Sequence, residues 1–169
     1  MATLPITTTA AAWAALKWER GQLDRTNSRL MPLGVMRSPR TPGIYRMTWT
    51  GTADWAKLDK HLLVKASKRI ADRRLDFSDR TPPVLLTIGR STNIHKRIRQ
   101  HFGSNLHNNR MLSRLGQLLP AMTQEQIIEL ARVNLSIAWV VVADWIERCL
   151  LEKYGVGLDR PLLDLEAEH

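Results

Sequence analysis

Thr87-Ile88-Gly89-Arg90-Ser91-Thr92-Asn93-Ile94-His95-Lys96-Arg97-Ile98-Arg99-Gln100-His101-Phe102 carries the change of period that decides the fold. Its first residues end an apolar run that enters after Pro82-Pro83 and reads as a strand over Val84 to Arg90. Ser91 or Thr92 then makes a good N-cap. Beyond it Ile94, Ile98 and Phe102 recur every fourth residue, the spacing of a helix with a buried stripe. With that stripe inward, Asn93, Arg97 and His101 share a neighbouring face.

Working outward, Gly43 to Thr50 alternates as a strand, with Ile44, Arg46 and Thr48 on one face and Tyr45, Met47 and Trp49 on the other. Between the two strands, Thr52 to about Phe77 reads as a helix with Thr52 as N-cap and an apolar stripe of Trp55, Leu58, Leu62 and Leu63. Its mixed charges predict an exposed face. Downstream, helices are expected near 108–119 and 124–131. A strand follows from Asn134 to Val142, then a helix from Asp144 to Tyr154 with Ile146, Leu150 and Tyr154 inward. Upstream, Trp13, Leu16 and Leu23 predict a helix from about Ala10 to Asp24. Pro32, Gly34, Pro39 and Pro42 then punctuate a loop.

The chain has 169 residues, enough for one core, and 25 Lys and Arg against 16 Asp and Glu give a net charge of +9. Such a field favours polyanions. The excess is concentrated: Arg90, Lys96, Arg97, Arg99, Arg110 and Arg114 fall in a stretch with no acidic residue, which reads as a phosphate-facing surface. Cys149 stands alone, so no internal disulfide forms and a reducing compartment such as the cytoplasm fits. No apolar run is long enough to span a membrane. The apolar start lacks the preceding positive charge of a secretory signal. The histidines show no ligand spacing that predicts a structural zinc site. The six tryptophans read as core anchors, with stacking on bases the minority reading.

Gly43-Ile44-Tyr45, Thr87-Ile88-Gly89, Arg97 ten residues after Thr87, and Glu147 in the helix after the last strand form one ordered set. Over residues 41 to 164 this set resembles the catalytic core of the GIY-YIG endonucleases, which cut phosphodiester bonds with one bound divalent metal. The resemblance implies an α+β fold with a small three-stranded, mainly antiparallel sheet flanked by helices. Residues 1–40 would then be an N-terminal helical arm and loop. Residues 41–169 would form the nuclease domain, with a helical insert over about 52–83.

It also implies roles. Tyr45, Arg97 and Glu147 match the family's central catalytic residues, and His101 falls where several members carry a catalytic or DNA-contacting His. Gly43, Thr87, Gly89 and Asp164 would support the site. Arg97 can fork onto phosphoryl oxygens in a way Lys cannot reproduce. Glu147 offers the hard oxygen that Mg²⁺ or Mn²⁺ prefers. Tyr45 and His101 can position or deprotonate a water. Arg90, Lys96, Arg99, Arg110 and Arg114 would grip the backbone of nucleic acid, with DNA the expected partner. Such contacts carry no sequence information. One metal per chain cuts one strand, so a double-strand cut needs a homodimer or sequential nicks.

Two departures bear on activity. Thr87 stands where the family has a second Tyr, and its hydroxyl reaches less far and is less acidic. Either Tyr45 and His101 suffice, or the chain is a catalytically impaired nucleic-acid binder. Asp164, in Pro161-Leu162-Leu163-Asp164, stands where the family closes with Asn, and Asp159 is the other candidate. Taken singly, each residue has a plainer role: Gly43 and Gly89 as packing glycines, Arg97 as a solvated side chain, Glu147 as a partner of Lys153 or Arg148.

Overall fold

The computed structural model describes residues 6–26, 29–32, 38–51, 82–101, 122–159 and 161. The expected helices at 52–77 and 108–119, together with Trp55, Phe102, Arg110, Arg114 and Asp164, lie outside them. In chain order the elements are α1 (Ile6–Ala14), β1 (Glu19–Thr26), β2 (Arg29–Pro32), β3 (Gly43–Trp49), β4 (Val84–Ser91), α2 (Ile94–His101), α3 (Gln124–Asn134), β5 (Leu135–Val141) and α4 (Trp145–Asp159). The fold is α+β, an antiparallel sheet flanked by helices.

β3 is paired with β4 on one side and β5 on the other, both antiparallel. Strands are expected at these three places, β3 from its alternation, β4 from the apolar run after Pro82-Pro83 and β5 from its β-branched residues. A fourth joins them: β1 pairs with β5 from Glu19↔Trp139 to Gln22↔Ser136, and its outer half pairs with β2, giving the order β2-β1-β5-β3-β4. The helix expected from Ala10 to Asp24 is therefore corrected. The helix ends at Ala14, and the residues from Glu19 extend onto the free edge of β5. Gly21 is a poor helix former in mid-element, and ladder bonds to β5 outweigh the local apolar spacing.

Alternation along β3 divides the core in two. Tyr45, Met47 and Trp49 face a cluster with Ile94 and Ile98 of α2, Ile127 and Ala131 of α3, and Ile137 and Trp139 of β5. Ile44 faces the other, with Ile88 of β4 and Leu151 of α4, against which Trp13 packs. Both isoleucines of α2 are fully buried, worth about 1.5–3 kcal/mol each. That stripe fixes how α2 sits on the sheet.

α3 opens with a capping box, Thr123 and Gln126 satisfying each other's backbone N–H groups. The inward face of α4 differs from the expected one. Arg148, Leu151 and Gly155 are buried, while Ile146 is exposed and Leu150 and Tyr154 are only partly covered. Pairing of the preceding strand sets the angle at which α4 leaves β5, and a helical stripe alone does not. Among the described residues, no helix is long and apolar enough to cross a membrane.

Candidate functional site

The turn from β4 into α2 builds the site. Asn93, rather than Ser91 or Thr92, caps the helix: its Oδ1 accepts the Lys96 N–H at 2.8 Å. Ser91 supports the cap, its Oγ accepting the Asn93 N–H at 3.0 Å. The Ile94 and His95 N–H groups are taken by the Thr41 and Pro39 carbonyls. The helix start is thus satisfied from within the protein, so positive charge beside it comes from side chains.

Tyr45, Gly89 and His101 meet inside the fold. Tyr45 and Gly89 are cross-strand partners, and a Cβ on Gly89 would run into the Tyr45 phenol. The glycine is what lets that ring lie flat on β4. Tyr45 Oη is 2.8 Å from His101 Nε2, and the two residues are only 5% and 7% exposed. Thr87, opposite Met47 and 4% exposed, is buried too. His101 therefore does not share an open face with Arg97. Gly43 is a close-approach glycine as well, because a Cβ there would strike the Val140 carbonyl of β5.

Arg97 lies on an open cleft of about 470 Å3 at the β4 edge, with Arg90, Asn93, Lys96, Gln100, Trp145 and Glu152 among its walls. Its Nη1 donates to Gln100 Oε1 at 3.3 Å, an exposed contact that leaves the guanidinium facing solvent. Glu152 accepts the Arg90 backbone N–H at 3.1 Å and pairs with the Arg90 guanidinium. The carboxylate so covers a donor on the sheet edge and neutralises one of the cleft's cations. Arg99 is exposed on α2 but does not line this cleft.

Glu147 sits apart. It is exposed in the first turn of α4, and its backbone N–H donates to Asp144 Oδ1 at 2.7 Å. Two positions from Trp145, it projects from a different side of the helix, whereas Glu152, two turns on, shares the Trp145 side. The four residues singled out from the sequence thus fall into three places: Tyr45 with His101, Arg97 in the cleft, and Glu147 beyond it. Sequence reasoning missed Trp145 and Glu152. Their seven-residue spacing on α4 was the available signal.

Among the described residues, no group of three or more His, Cys, Asp or Glu gathers as a metal cage. Mg²⁺ does not require one, since it keeps several waters and takes one or two carboxylates plus substrate phosphate. Exposed Glu147, with Asp144 beside it, fits that demand.

The sheet face that carries Ile44 and Arg46 holds a second concavity of about 610 Å3, lined in part by Arg20, Arg46, Ala138 and Asp159. Both arginines pair with Ala138, one from each side. The Arg46 guanidinium lies 4.4 Å from the centre of the Trp18 ring. Burial lowers its pKa from the usual arginine value, Arg20 lowers it further, and Asp159 acts the other way.

No family model matches this chain, and neither the curated proteins nor the solved structures hold a match to it.

Proposed function

We propose that this protein is a GIY-YIG-like, Mg²⁺-dependent DNA endonuclease whose phosphate-binding wall is the cleft holding Arg97. The observation that carries the reading is the junction of Tyr45 with Gly89 and His101, two segments distant in sequence that the resemblance links in one site. Beside it, Lys96 and Arg97 present two cations to solvent on one cleft. Arg97 neutralises charge on the phosphoryl oxygens, and its fork orients them. The Tyr45–His101 pair holds a proton at a fixed point between phenol and imidazole. Glu147 would hold the metal, which would supply a Lewis acid and a more acidic water. A reducing compartment suits the lone Cys149.

The burial of Tyr45, His101 and Thr87 favours a second reading, a nucleic-acid binder without chemistry, because neither the Tyr45 nor the Thr87 hydroxyl opens to an attacking water. Plasmid nicking by the purified chain with Mg²⁺ or Mn²⁺ separates the two. Wild-type nicking abolished by both Arg97→Ala and Glu147→Ala supports the nuclease. Loss with Glu152→Ala but not Glu147→Ala moves the metal to the cleft carboxylate. Salt-sensitive DNA binding without nicking leaves the binder.

A further inference from the structure

Trp145 is the residue of the cleft that phosphate binding does not explain. Trp49 and Trp139 are buried in the core, yet Trp145, the first residue of α4, is 53% exposed. It is held in place: the Arg90 guanidinium lies 4.9 Å from the ring centre and that of Arg148 lies 5.5 Å away. Arg148 is itself 4% exposed, its Nη1 donating to the Val142 and Ala143 carbonyls at 2.7 Å each. Arg90 is anchored by Glu152. A broad apolar ring, braced by two fixed cations on a residue half open to solvent, is a stacking platform.

The same cleft carries Lys96 and Arg97. Its volume lies within the range of about 300–1,000 Å3 typical of small-molecule sites. A ligand matching both parts has a flat π face and a phosphate, as a nucleotide does. Inside a duplex each base face is covered by its neighbours, so away from the ends only an unpaired base can present one to an indole. We propose that the cleft binds a nucleotide whose base is unpaired, stacked on Trp145 with its phosphate held by Lys96 and Arg97. The proposal rests on the nucleic-acid reading above and names its substrate class: single-stranded, bulged or frayed DNA.

The test is fluorescence anisotropy of the full chain with a labelled single strand, the matching blunt duplex, and that duplex carrying one bulged base. Deoxyadenosine monophosphate serves as competitor. Trp145→Ala should weaken binding of the single strand and the bulged duplex about tenfold, leave the blunt duplex within about twofold, and abolish competition by the mononucleotide. Trp145→Phe should keep most of the single-strand affinity, and unchanged melting of both variants excludes misfolding. Equal weakening on all three DNAs, or no weakening on any, overturns the proposal. Absence of nicking together with Trp145-dependent single-strand binding removes the nuclease and leaves this inference standing. Nicking without that dependence does the reverse.

Discussion

Arg97 and His101 stand one helical turn apart on α2 and live in opposite surroundings. Arg97 faces an open cleft and spends one hydrogen bond on an exposed glutamine. His101 is sealed against the sheet and bonded to Tyr45. The helix start leans on the turn from β4, whereas its last turn lies over β3. Two polar residues on one short helix can thus play unlike parts. A buried pair is part of the fold, and its loss is felt as stability. A solvated cation contributes little to stability and is left over for a ligand.

The harshest way to break the buried side is Gly89→Val. A Cβ and its two methyl groups would have to occupy the space of the Tyr45 phenol, so the variant should lose about 3 kcal/mol or more, or fail to fold. Urea denaturation checks this, and a wild-type midpoint would mean that the ring does not rest on β4. Tyr45→Phe comes next. It keeps the packing but strips His101 Nε2 of its bond to the phenol, at a cost of about 1–3 kcal/mol, with the midpoint lowered and the m-value unchanged.

Arg97→Ala sharpens the other side and should move stability least, by less than about 0.5 kcal/mol. Its effect belongs to binding. DNA affinity should fall, and the slope of log affinity against log salt should shrink by about 0.9 if one duplex phosphate contact is lost. A destabilised variant with intact binding would reverse the assignment of the two regions.

Much of this division was legible beforehand, and its gaps have physical causes. Ile94 and Ile98 announced a buried stripe, and β3 alternates faces as its residues predicted. The side occupied by His101 was misjudged because a helical wheel knows the angle between residues but not how far the sheet extends beneath them. β1 was missed for a related reason. Its residues show no strong strand preference, and only the waiting edge of β5 makes extension worthwhile. On α4, Trp145 and Glu152 were passed over because no local feature tells an exposed tryptophan from a buried one.

From its residues alone the chain determined its local periods, the strands β3, β4 and β5, the helix after β4 and an excess of positive charge. Those properties depend on neighbours within a few positions, where backbone preference and apolar spacing act. Tertiary structure alone decided that Tyr45 closes on His101 over Gly89, that Arg97 opens onto Trp145, and that Glu152 rather than Glu147 shares that wall. Such meetings join segments about forty to sixty residues apart. They follow from how the sheet and helices pack, which no single stretch of sequence encodes.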